Sequence, residues 1–210
     1  MGLLYTIGHS TVTFDYFLEL LQKYQVNFLA DVRSVPYSEH APQFNKETLS
    51  LNLESHEIRY YGMGRYFGAR RPERDLYTQE GYLDFEKIRT QDPAFKKRVF
   101  SIIKGLQQGY NIALMCTEKD PFDCHRAILV GRAFELEGIH VQHIRHDNGG
   151  FLEEQEHLND RLIEKYFPDY REPDLFSKKP KTRDEYLAEA YRKRNQDIGY
   201  RIDTEKRELE

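Results

Sequence analysis

Asn111–Leu136, NIALMCTEKDPFDCHRAILVGRAFEL, decides the fold class. Asn111 to Cys116 is an apolar run without alternation, as in a strand covered on both faces. A polar loop with Pro121 follows. Cys124 to Leu136 then carries apolar residues at helical spacing and stops at Gly138. Working outward, the same strand-then-helix unit recurs. Leu3 to Ile7 is a first strand, and Thr13 is an N-cap for a helix with Phe14, Phe17, Leu18 and Leu21 on one face. Asn27 to Val32 is a second strand, broken at Ser34-Val35-Pro36. A short helix, Asn45 to Leu53, leads to a third strand at Ile58 to Tyr61. Pro93 opens a helix whose buried face is Phe95, Val99, Ile102, Ile103 and Leu106. Ile139 to Ile144 is a fifth strand, closed by Asp147-Asn148-Gly149-Gly150.

This alternation predicts an α/β fold: a mainly parallel open sheet of about five strands, helices on both faces, and a C-terminal helical extension. Residues 1–150 form the α/β core domain in this reading, and 151–210 a charged helical extension. Within the extension, Phe151 to Tyr166 and Thr182 to Gln196 read as helices, Pro168 to Pro180 as a linker, and Asp203 to Glu210 as a frayed end. Arg65 to Asp92 reads as a long loop with a short helix near Leu83 to Arg89. Loops of that length in small domains are commonly functional.

Composition narrows the classes. A net charge of −4 provides no global field for nucleic acid, although local basic clusters could still recruit it. No apolar stretch reaches the ~18 residues of a membrane span. The start, MGLLYTIGHS, lacks the basic region and cleavage site of a secretory signal. MGLLYT fits a loose myristoylation pattern but reads better as a buried first strand. Two cysteines are too few for a disulfide framework, so a reducing cytoplasm is the expected compartment.

If the strands are parallel, their ends deliver polar residues to one edge, where open α/β sheets bind ligands. His9, Asp31, Cys116, Glu118, Cys124 and His125 are the candidate catalytic groups. Cys124 at a helix N-terminus beside His125 and Arg126 is placed to lose its proton. His9 or His125 could move protons, with Glu118 or Asp31 orienting them. Arg33, Arg65, Arg70, Arg71 and Arg126, with Ser10 and Ser38, are the candidate ligands for an anion. The segment Arg65 to Arg74 mixes arginine with Tyr66 and Phe67, a combination suited to phosphates and stacked bases.

Plainer alternatives stand beside these. Either cysteine can be a small buried apolar residue, His9 a turn residue, Asp31 half of a structural ion pair with an arginine, and the arginine loop a solvated basic surface. Three functions stay open. One is an enzyme using a cysteine on a phosphate-bearing, nucleotide or nucleic-acid substrate. Another is a binding module for nucleotide or nucleic acid without chemistry. A third is a metal centre held by Cys116, Cys124, His125 and His9. No metal or cofactor is assigned from the sequence.

Thr6-Ile7-Gly8-His9-Ser10, Asp31-Val32-Arg33-Ser34-Val35-Pro36-Tyr37-Ser38, and Met115-Cys116-Thr117-Glu118 with Pro121 and Cys124-His125-Arg126 resemble the domain-of-unknown-function 488 family. The resemblance spans about residues 1 to 150. It implies a small cytosolic α/β protein and assigns no activity. Gly68-Ala69-Arg70 is similar to a Gly-Gly-Arg element of that family, with Ala in place of one Gly. The strand-loop-helix cysteine site also resembles that of rhodaneses and cysteine phosphatases, but Cys116 and Arg126 are ten positions apart, too far for their anion cradle.

Overall fold

Apolar runs without alternation become strands buried on both faces, and the expected parallel sheet forms. A computed structural model describes residues 1–172 and 181–202. Strands β1 (Leu4–Gly8), β2 (Phe28–Asp31), β3 (Arg59–Gly62), β4 (Ile112–Cys116) and β5 (Val141–Arg145) are parallel. A sixth, β6 (Phe151–Glu154), pairs antiparallel with β5. The spatial order is β3-β2-β4-β1-β5-β6. The extra strand occupies the start of the stretch read as helical from Phe151. Asn148, Gly149 and Gly150 have φ of 53°, 73° and 84°, and this left-handed run folds the chain back along β5 before a helix can begin.

Alternation along the strands sorts side chains between two helical layers. Tyr5, Ile7, Leu29, Ala113, Met115 and Ile144 face α1 (Phe14–Lys23) and α2 (Lys46–Glu54), packing on Phe17, Leu20, Leu21, Leu49 and Leu53. Leu4, Ala30, Ile112, Leu114, Cys116 and Val141 face the opposite layer. That layer holds α3 (Gly64–Phe67), α4 (Phe85–Gln91), α5 (Pro93–Gln107), and a π-helical stretch, Arg126–Gly131, continuing into α6 (Arg132–Leu136).

Local signals explain the helix starts. Thr13 caps α1 by accepting from Tyr16 N at 3.3 Å. Asp92 caps α5 through Oδ1, with Pro93 at the first helical position, while its Oδ2 accepts from Arg71 Nη2 at 3.0 Å. The Arg65–Asp92 segment is therefore ordered. Arg71 also donates to the carbonyls of Arg65 and Tyr66.

The helices α7 (Gln155–Tyr166) and α8 (Arg183–Ile198) share the second layer's core. Leu158, Leu162, Ile163, Leu187, Ala190 and Tyr191 pack in one cluster with Leu114 and Phe95. Asn195 on α8 accepts from Phe85 N and donates to Leu83 O, both at 2.8 Å. These contacts bring the following Ile198 and Tyr200 to the carboxyl edge of the sheet. Residues 173–180 of the expected linker and the expected frayed end at 203–210 lie outside the described residues. No helix among the described residues is long and apolar enough to cross a membrane.

Candidate functional site

Strands β1 and β4 are neighbours, but their following helices leave toward opposite layers, which opens a crevice at their carboxyl ends. The loop after β4 is drawn back over this edge. Arg126 is fully buried and donates from Nη1 to Glu118 O at 2.5 Å and from Nη2 to Lys119 O at 3.1 Å. Gly8 makes room for that loop, since a Cβ there would lie 1.8 Å from Glu118 O. Ser10, with φ of 49°, donates its backbone N–H to Thr117 O at 2.8 Å. Arg126 thus acts on the protein's own carbonyls, where the sequence pointed to an anion clamp.

The folded loop brings together four of the expected residues. Cys116 Sγ donates to Glu118 Oε2 at 3.0 Å, and Cys124 Sγ lies 2.8 Å from the same oxygen. Cys116 Sγ is 3.8 Å from His125 Nδ1. One ligand-type atom from each of Cys116, Glu118, Cys124 and His125 can be chosen so that all lie within 4.8 Å of one another. Both cysteines are buried and free. Glu118 as a residue is exposed, although its Oε2 turns inward.

The backbone explains how adjacent Cys124 and His125 reach one centre. Cys124 is extended (φ −131°, ψ 135°) and its carbonyl accepts from Ala127 N and Ile128 N, so it occupies the capping position and not the first helical turn. His125 is the first residue with helical torsions (φ −59°, ψ −24°). The π-helical turns that follow are a feature frequent at functional sites.

Protons are shared unequally in the cluster. Burial raises the Cys116 thiol well above its ordinary value, and Cys124 beside it adds to the rise. Burial opposes a thiolate at Cys124, but Cys116, the Arg126 guanidinium and His125 outweigh it and hold Cys124 well below the usual thiol range. Burial lowers His125, but the Cys124 sulfur more than reverses this and its pKa is raised. Burial, and then Cys124, raise the Glu118 carboxyl above its ordinary range.

The other expected residues form a separate layer on the α1–α2 side. Asp31 follows Leu29 on that face, and Arg33 lies beyond it at the strand end. Arg33 donates to Asp31 from Nη2 at 2.6 Å and from Nε at 2.9 Å, with both residues nearly inaccessible. Tyr60 Oη donates to Asp31 Oδ2 at 2.7 Å. His9 donates from Nδ1 to Ser10 O at 2.7 Å, stacks on Phe44 at 4.3 Å and accepts at Nε2 from Arg33 Nη1 at 3.1 Å. Burial, with Arg33 next in weight, pushes the His9 pKa down to about 4. His9 is therefore neutral at neutral pH and orients Arg33, and Glu118 stands where a His9-containing metal set would place that histidine. Ser38 is likewise local: its backbone N–H donates to Asn45 Oδ1 and its Oγ accepts from Ala41 N.

Both layers meet in one cleft of about 240 Å³. Cys116, Glu118, His125, Arg33, Arg70 and Tyr200 are among the residues that line it. The Arg70 guanidinium lies 5.2 Å from the Tyr200 ring centre, and Arg70 N donates to Ser34 Oγ at 2.9 Å. Arg65 instead lines a second cavity with Tyr66 and Arg71. Ser34 and Tyr200 are members that the sequence did not reveal. Ser34 stands in a quoted motif, whereas Tyr200 carries no local signal and arrives only because α8 packs on α4.

No curated protein matches the chain, and no solved structure matches it. A family model described as "Domain of unknown function DUF488" matches residues 13–133, a span containing Asp31, Arg33, Arg70 and the whole Cys116–His125 cluster. The match covers more than half of the sequence, and the chain belongs to the DUF488 family.

Proposed function

We propose that the protein is an enzyme for a small anionic substrate, bound in the carboxyl-edge cleft and acted on by the Cys116, Glu118, Cys124 and His125 cluster. The observation that carries this is the cleft itself: two arginines line the same cavity of about 240 Å³ as Cys116, Glu118 and His125. Reactive groups and a convergent charge in one concavity are the usual marks of a substrate site. Arg33 is fixed by Asp31, Phe44 O and His9 and lines the cleft. Arg70 supplies an exposed second cation. A phosphate or carboxylate group fits this pair better than a nucleic-acid strand does, because the cleft is smaller than most drug-sized pockets. Arg71 is committed to Asp92 and two carbonyls. Two neighbouring thiols that remain free suit a reducing compartment such as the cytoplasm.

Calorimetric titration with inorganic phosphate, pyrophosphate and AMP tests this directly. At least one should bind the native protein, with affinity falling tenfold or more in Arg70→Glu by loss of a charge-assisted contact. Failure of all three to bind, or equal binding to the variant, would overturn the assignment of this cleft.

A further inference from the structure

We propose that Cys116, Cys124, His125 and Glu118 bind a zinc-class divalent metal ion, with Glu118 as the ligand that a substrate displaces. This deepens the enzyme reading above by naming what arms the cluster. The donors are the two sulfurs, a ring nitrogen of His125 and a carboxylate oxygen of Glu118, which can be chosen so that none is more than 4.8 Å from another. Around a tetrahedral zinc with bonds of about 2.3 Å to sulfur and 2.0–2.1 Å to nitrogen or oxygen, such atoms sit roughly 3.5–3.8 Å apart. The observed separations include 2.8 and 3.0 Å for sulfur to oxygen and 3.8 Å for sulfur to nitrogen. Side-chain shifts on the order of 1 Å therefore suffice to admit the ion. Two sulfurs, an imidazole and a carboxylate also form a donor set that selects zinc over magnesium or calcium.

Three further features suit a ligating cluster. His125 Nε2 lies 3.1 Å from Val32 O, so its proton is directed to that carbonyl and Nδ1 is turned to the sulfurs. A backbone acceptor on the remote ring nitrogen is the usual outer support of a metal-bound histidine. Arg126 N donates to Cys124 Sγ at 3.4 Å, which orients that sulfur. Finally, two thiolates and one carboxylate around a divalent ion leave a single negative charge. The fully buried Arg126 has no carboxylate partner among the described residues and supplies the matching positive charge.

The position of each ligand also divides their roles. Cys124 is 1% exposed and is absent from the cleft wall, so it suits a fixed ligand better than a nucleophile. Glu118 is the exposed member and lines the cleft. With Cys116, Cys124 and His125 holding the ion, departure of Glu118 opens a coordination position at the cleft that Arg33 and Arg70 also line. A catalytic zinc site needs such a position.

Protein purified without a histidine tag, under reducing and chelator-free conditions, should carry about one zinc per chain by elemental analysis. Cobalt loading should give a thiolate-to-cobalt charge-transfer band and intense tetrahedral visible bands. The sulfur band should weaken in Cys124→Ser, which leaves Cys116 as the one thiolate, while Glu118→Gln should bind the ion about tenfold or more weakly in competition with a chromogenic chelator. The native protein alone makes the test decisive if a variant does not fold. No bound metal after zinc loading, or a cobalt spectrum without the sulfur band, would overturn the proposal. Stoichiometric zinc without binding of any of the three anions supports the metal site and removes the enzyme reading. Anion binding without metal does the reverse.

Discussion

Removing the Asp31 carboxylate tests the polar layer that fixes Arg33 at the cleft. Asp31 and Arg33 are 1% and 4% exposed. Asp31→Ala abolishes the Nη2 contact at 2.6 Å, the Nε contact at 2.9 Å, the bond from Arg33 N at 3.0 Å and the bond from Tyr60 Oη at 2.7 Å. A guanidinium then remains buried without its counter-ion. Breaking a buried pair from one side costs about 3–5 kcal/mol, and in a chain of this length that lowers Tm by roughly 6–20 °C. Urea unfolding followed by circular dichroism measures the loss. Replacing the whole layer, as Asp31→Leu with Arg33→Met and Tyr60→Phe, should recover most of it, because no charge or hydroxyl is then orphaned. A cost below about 1 kcal/mol for Asp31→Ala would refute the claim that Arg33 is held as a desolvated cation.

Three other outcomes follow from the geometry. Gly8→Ala places a Cβ 1.8 Å from Glu118 O and must displace the loop that carries Glu118; the expected cost is about 1–3 kcal/mol, with loss of cobalt binding, measured by thermal melts and absorbance. Asn195→Ala orphans Phe85 N and Leu83 O, at about 1–3 kcal/mol for each buried group, and hydrogen exchange at Phe85 should quicken. The pH dependence has a definite sign. Burial, followed in weight by Arg126, lowers His143 from 6.5 to about 3. Below pH ~6.5 the unfolded chain takes up this proton and the folded chain does not, so stability falls with pH until about 3. The loss is on the order of 3–5 kcal/mol, and His143→Gln should flatten this limb of the stability curve in urea titrations at stepped pH.

Much of the fold was legible because its determinants are local. The unalternating runs at Leu4–Gly8 and Ile112–Cys116 report burial on both faces, and Thr13 as a cap and Pro93 at a first turn mark helix starts. The antiparallel β6 was hidden because a helix follows it immediately, and four residues are too short to display a period of their own. The attachment of α8 was hidden for a different reason. Its bonds to Leu83 and Phe85 join residues more than a hundred positions apart, and neither partner shows this in its own neighbourhood.

The candidate site divides along the same line. Strand alternation already separates Asp31 from Cys116: Leu29 and Asp31 point to one layer, while Ile112, Leu114 and Cys116 point to the other. A common sheet edge therefore did not make one cluster of His9, Asp31 and the two cysteines. It made two, joined where Arg33, beyond the end of β2, lines the cleft. On a regular helix Cys124 and His125 would not share a centre, because consecutive helical residues diverge by about 100°. That objection assumes that the helix includes Cys124. The extended torsions at Cys124 remove the assumption, and they arise where Asp120 caps the short turn at Pro121–Asp123, ending it one residue before the cysteine. The decisive signal for the quartet was thus not the pair of reactive residues but the Asp-Pro turn that sets the angle between them.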